Sequence, residues 1–216
     1  LSSALTSTNC TVMTIQFSDW EDILELYSSS DLSETSKDLF VTLQRYIAAS
    51  HGQLVLMNSR KAVIAWNTFI SQNDHVIRGC KTAYKCLKAV EELHTAWRAR
   101  NLPLLDITIG LSSNHSFYGN LGSDRSKFFT LIGTAYNRSE SIATLNNEWG
   151  TRVLCSADVY QAAKDEFLFR PVTTFVDRKN SEVVPVFEIG EYRELHNESA
   201  EDEWQMYREA YKLYDM

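Results

Sequence analysis

Apolar positions recur along this chain with two periods, close to two and close to three and a half, and each change of period marks an element. Thr11 to Phe17 (TVMTIQF) is an apolar, β-branched run of strand type, and Ser18-Asp19 has the form of a helix entry with acids in the first turn. From Ser33 to Ser50, residues Leu39, Phe40, Leu43, Tyr46 and Ile47 fall at helical spacing, and His51-Gly52 puts a glycine where that helix should stop. A hairpin follows, Gln53 to Met57 and Ala62 to Trp66, joined through Asn58-Ser59-Arg60-Lys61. A long helix is predicted from Asp74 to Arg100, with Ile77, Cys80, Tyr84, Leu87, Leu93 and Trp97 on one stripe and Asn101 and Pro103 marking its end. Asp106 to Leu111 (DITIGL) alternates as a strand does. The order β-α-β-β-α-β is that of a ferredoxin-like sheet, so the predicted class is α+β.

Further strands are predicted at Ser116 to Leu121, Lys127 to Ile132, Arg152 to Cys155, Phe167 to Val172 and Val183 to Ile189. Helices are predicted at Ala135 to Asn146 and Ala157 to Lys164. These extend the same sheet and give one domain over 11–190, followed by a helical extension over 191–216. In that extension Trp204, Tyr207, Tyr211 and Tyr214 repeat at helical steps among acidic residues. Such a stripe either packs on its own sheet or clasps a neighbour, and the sequence leaves both open.

Composition narrows the class. Apolar residues make up 44% of the 216, with only 8 Gly and 3 Pro, which excludes a disordered, collagenous or linker-rich chain. A formal charge of −7 with no basic stripe argues against nucleic acid as a partner. Cys10, Cys80, Cys86 and Cys155 show no metal-ligand spacing, so no zinc site or bridge is predicted and a reducing, cytoplasmic setting is expected. No apolar run approaches the roughly 18 residues of a membrane span. Residue 1 is Leu, from which a piece of a longer, assembly-bound or membrane-anchored polypeptide is expected.

Within Gly110 to Tyr160, the residues Gly110, Gly119, Gly122-Ser123, Arg125, Thr130, Ile132-Gly133 and Asn137 stand in register with a spaced glycine-rich pattern. In this the chain resembles the catalytic domains of class III nucleotidyl (adenylate/guanylate) cyclases. Phe17-Ser18-Asp19 is similar to the family's first acidic motif, so the resemblance covers about Thr11 to Ile189. It implies conversion of ATP or GTP to a cyclic 3′,5′-monophosphate at a dimer interface, with Mg or Mn ions held by two carboxylates.

Carried over residue by residue, that chemistry is half present. Asp19 matches the first metal carboxylate, whereas Lys61 stands at the second. Met57 stands where adenylyl members have a base-recognising lysine, and Thr134 at its acidic or threonine partner. Asn137 matches the transition-state asparagine, and Ser141 replaces the arginine that follows it. A cation replacing a metal ligand removes one attraction and adds a repulsion of about 4 kcal/mol per unit charge at 4 Å and an effective dielectric near 20. Lys61 or Arg60 is also positioned to pair with Asp19 as a built-in substitute for the metal; helix capping is the plainer role for Asp19. The expected function is therefore a catalytically degenerate cyclase-type domain, a pairing, regulatory or scaffold module. No cofactor is expected, Mg or Mn entering only if the domain is active. The expected partner is a homologous cyclase-type domain or a larger assembly, with ATP as a candidate ligand. The alternative is an adenylyl cyclase half-site that forms cAMP with a competent partner.

Overall fold

A central strand apolar on both faces organises the molecule. In the computed structural model, which describes residues 5–17, 23, 25–123, 126–177, 179, 181–193 and 206, that strand is β1 (Thr6–Phe17), followed by α1 (Ser29–Ala49), β2 (Gln53–Met57), β3 (Lys61–Trp66), α2 (His75–Ala99), β4 (Ile107–Ser123) and β5 (Ser126–Gly133). The chain continues through α3 (Thr134–Trp149), β6 (Val153–Ser156), α4 (Ala157–Ala163), β7 (Phe167–Asp177) and β8 (Glu182–Tyr192). Among the described residues the strands form one sheet in the order β2-β3-β1-β4-β6-β8-β7, with β5 paired to β4. The antiparallel flanking of β1 by β3 and β4 is the ferredoxin-like core predicted from periodicity.

Alternation along β1 assigns its two faces. Met13, Ile15 and Phe17 join α1, α2 and α4 in the larger core around Leu39, Leu43, Trp66, Trp97 and Ile109. Cys10 and Val12 point the other way, toward Ala135 of α3 and Leu131 of β5. Helix α3 lies close against that second face: Thr14 Oγ1 and Ser139 Oγ are 2.8 Å apart, and Asn146 Nδ2 donates to the Ile109 carbonyl at 3.0 Å. Contact this close requires Gly110, because a Cβ there would sit 2.3 Å from the Ser139 carbonyl oxygen and 2.4 Å from the Ala143 nitrogen. All four cysteines are buried free thiols. No helix among the described residues is long and apolar enough to cross a membrane.

Several boundaries differ from the sequence reading for identifiable reasons. β1 starts at Thr6 rather than Thr11, because the polar stretch Thr6 to Cys10 is held by backbone pairing to Asn114 through Tyr118 and carries little apolar signal. The two strands predicted at 106–111 and 116–121 are one continuous β4 of 17 residues, whose polar middle, Ser112 to His115, remains paired to β1. Helix α1 starts at Ser29, closed by a capping box between Ser28 and Asp31. Its exit uses His51 at φ 56° as the left-handed residue. Gly52 serves packing instead, since a Cβ there would meet Ile64 Cγ2 at 2.8 Å. β7 runs past Val172 to Asp177 through an irregularity between Pro171 and Thr173. Asp19 and the aromatic residues of the extension lie outside the described residues.

Candidate functional site

The β2–β3 turn is built by its own sequence. Asn58 Oδ1 accepts from the backbone N–H groups of Arg60 at 2.9 Å and Lys61 at 3.0 Å, and Asn58 N–H donates to the Lys61 carbonyl at 3.0 Å. This side-chain turn fixes the start of β3. The end of β1 lies alongside: Gln16 pairs with Lys61, and Phe17 N–H donates to the Arg60 carbonyl at 2.9 Å. The register thus brings the strand that leads into Asp19 against the turn that carries Lys61.

Lys61 is engaged from the other side. Its ammonium makes an ion pair with Glu140 of α3, both side chains being less than a third exposed. Burial works against the Lys61 charge, but the hydrogen bond and charge of Glu140, with the Tyr136 hydroxyl beside them, raise its pKa above the ordinary lysine range. Tyr136 is pushed up as well, first by burial and then by the Glu140 charge. Lys61, Tyr136 and Glu140 form one polar cluster that ties the hairpin to α3. Below it opens a cleft of about 670 Å³ lined by Gln16, Phe17, Arg60, Lys61, Asp106 and Arg152, with Arg152 and Asp106 in an ion pair.

The helix that holds Glu140 also carries Thr134, Asn137 and Ser141. Its first residue is Thr134, half-buried, after Gly133 at φ 149°. Asn137 Oδ1 accepts from Lys179 Nζ at 3.1 Å, and both residues border a second cleft of about 340 Å³ with Glu140, Ser141 and Asp177. Ser141 is exposed and its hydroxyl turns back to the Asn137 carbonyl at 3.2 Å, so it offers no cation where the resemblance implies an arginine. Arg138, next to Asn137, is buried and committed elsewhere: it bonds Asp177 at 2.9 Å, pairs with Glu182 and lies 3.9 Å from Asp158. Asp177 Oδ1 in turn accepts from the Lys179 backbone N–H at 3.2 Å. Arg138 thereby holds the Asp177 carboxylate that in turn accepts from Lys179, the residue whose ammonium reaches Asn137.

Met57 is placed apart from these groups. It packs on the larger core and lines a separate groove with Ser36, Phe40 and Ser59. Of the residues named from sequence, the fold joins Thr134, Asn137 and Ser141 on one helix and brings Lys61 to that helix through Glu140. Glu140, Tyr136, Arg138 and Lys179 were missed, because their partners lie 39 to 79 residues away in the chain. The hairpin turn itself, Asn58 to Lys61, carries no carboxylate. The position that the resemblance gives to an acid holds an ammonium already paired to a carboxylate, and the described residues contain no group of three metal-ligating side chains.

No family model matches the chain. In sequence it is similar to "Adenylate cyclase 1" of Rhizobium meliloti (strain 1021), 24% identical over 179 residues, which is 83% of this chain. The chain spans 27% of that relative's length. In structure it is similar to the adenylyl cyclase CyaB from P. aeruginosa, with a TM-score of 0.80 and 16% identity over 90% of this chain and all of that one. It is also similar to the guanylyl cyclase Cya2, TM-score 0.76, 17% identity, covering 89% and 97% of the two chains. The guanylate cyclase domain of RhGC from Catenaria anguillulae gives 0.71 and 18% identity, covering 87% and 100%. The fold is that of the class III nucleotidyl cyclase catalytic domains. The chain thus has the fold of the nucleotidyl cyclase domains whose pattern it resembles.

Proposed function

We propose that this is a catalytically degenerate cyclase-type domain, which pairs with a homologous domain and acts on it as a regulatory or scaffolding module. The Lys61–Glu140 ion pair carries this reading. Cyclisation needs negative ligands that hold divalent ions against the triphosphate. At the hairpin the ligand is replaced by a cation, and that cation is stabilised in place by Glu140 and Tyr136. Met57 and Ser141 support the same reading, since neither supplies the charge that base recognition or the developing phosphate charge would use. The test is a turnover assay of the purified domain with ATP or GTP and manganese. No cyclic nucleotide should form, and a clear signal from the domain alone overturns the proposal.

One observation favours a second reading, a half-site that serves a competent partner. Asn137 and the Lys179 ammonium stand together in one cleft and could face the phosphates of a nucleotide bound mainly by another chain. Assay of the native complex separates the two readings. Under the first, Asn137→Ala leaves the partner's turnover unchanged; under the second it lowers it.

A further inference from the structure

Past Tyr118, β4 is paired to β5 and no longer to β1, so the two strands form an arm. One face of the arm is used within the chain. Leu131 and Tyr118 belong to the smaller core. Phe69 closes over this face from the β3–α2 loop, its ring centroid 5.3 Å from that of Tyr118 and 5.0 Å from that of Phe129. The loop is itself pinned: Asn67 N–H donates to Gln72 Oε1 at 2.9 Å, Gln72 N–H to Asn67 Oδ1 at 2.8 Å, and Asn67 Nδ2 to the Asn9 carbonyl at 2.8 Å.

The opposite face is left to solvent. Phe117 stands directly across from Ile132 and Leu121 from Phe128, and strand alternation puts all four on the same side. They are 49%, 48%, 38% and 68% exposed in that order. At about 200 Å² per large side chain, roughly 400 Å² of apolar surface is open there, as much as the largest patch of a typical monomer. Gly119 and Thr130 lie between the two pairs, and no charged residue stands at the described positions of this face.

We propose that this face of the arm packs against the same face of a second copy of the chain. The proposal rests on the pairing half of the proposed function and names its surface and its occupant. An apolar face without charge is its own complement, as a two-fold interface requires, whereas selection of a different partner works through charge. A standard interface buries about 800 Å² on each side, about 65% of it apolar in homodimers, and the arm supplies most of that apolar share. Because Phe69 and the smaller core already anchor the other face, pairing has little backbone left to order.

Sedimentation of the 216-residue chain over a range of concentrations tests this without reference to turnover. The unmodified chain should form dimers at micromolar concentration. Phe117→Lys with Phe128→Lys should weaken pairing roughly hundredfold or more while circular dichroism stays unchanged, and Leu121→Lys alone, a smaller perturbation, should act in the same direction. Val41→Lys, at an exposed apolar position on α1, should leave pairing unaltered. The chain with two lysines should pair with one carrying Phe117→Glu and Phe128→Glu, although neither pairs with itself. A chain that stays monomeric at about 100 µM overturns the proposal, and so does one that pairs only with a different cyclase-type domain. Lysine variants of the arm that pair as the unmodified chain does, a Val41→Lys effect of equal size, or failure of the lysine and glutamate chains to recombine overturn it as well. None of these outcomes bears on the degenerate site, which the cyclic nucleotide assay reads separately.

Discussion

Replacing Gly110 by alanine would test the contact that holds α3 to the sheet. The added Cβ would stand 2.3 Å from the Ser139 carbonyl oxygen, 2.4 Å from the Ala143 nitrogen and 2.8 Å from the Ala143 Cα. All three are backbone atoms, so no side-chain rotation relieves the clash and the helix must move outward by about 1 Å to regain van der Waals distance. Overpacking of this kind costs about 1–3 kcal/mol. The shift also stretches the Thr14–Ser139 and Asn146–Ile109 hydrogen bonds, both buried and worth about 1 kcal/mol each. A loss of about 3–5 kcal/mol corresponds to a melting temperature lower by about 6–20 °C for a domain of this size. Gly150→Ala is the control. That residue has φ 61° with nothing within 4 Å of the added Cβ, so only the left-handed backbone is penalised, by about 1–2 kcal/mol. Thermal unfolding followed by circular dichroism reads both. If Gly110→Ala melts no lower than Gly150→Ala, the close seating of α3 on β4 is refuted.

Arg138→Met should lower stability by about 3 kcal/mol, because the buried Asp177 loses the guanidinium that compensates it; urea unfolding measures this, and a loss under 1 kcal/mol would remove the clamp. For Lys61 the folded pKa lies above the unfolded one, so its contribution is fully present below the unfolded lysine value near 10.4 and is lost as pH rises through the raised folded value. Stability curves of the unmodified chain and of Lys61→Met should therefore differ by about 1 kcal/mol at pH 8 and converge at strongly alkaline pH; parallel curves would contradict the assignment.

The core was legible in the sequence where burial is one-sided or complete. Val12 to Phe17 in β1 and Leu39, Leu43 and Ile47 in α1 carry their period openly, and the topology follows from their order. Elements held by backbone pairing were not legible, as Thr6 to Cys10 shows: its side chains are mostly exposed, and its conformation is set by a strand over a hundred residues later. The candidate site divides in the same way. Lys61, Thr134 and Asn137 could be found because they keep a motif's register. Glu140 could not, since an acid on a helix has many uses and only the fold brings it to Lys61 across 79 residues. Lys179 likewise reaches Asn137 while its backbone is held by Asp177, itself bonded to Arg138, a relation with no local signature.

The buried thiols give the molecule an internal clock. Burial pushes Cys80 and Cys86 up to about 12 and Cys155 well above its ordinary value, so at neutral pH almost no thiolate is present to react. An alkylating reagent can label these positions only when the sheet and its helices part. The rate of labelling then counts openings of the native fold.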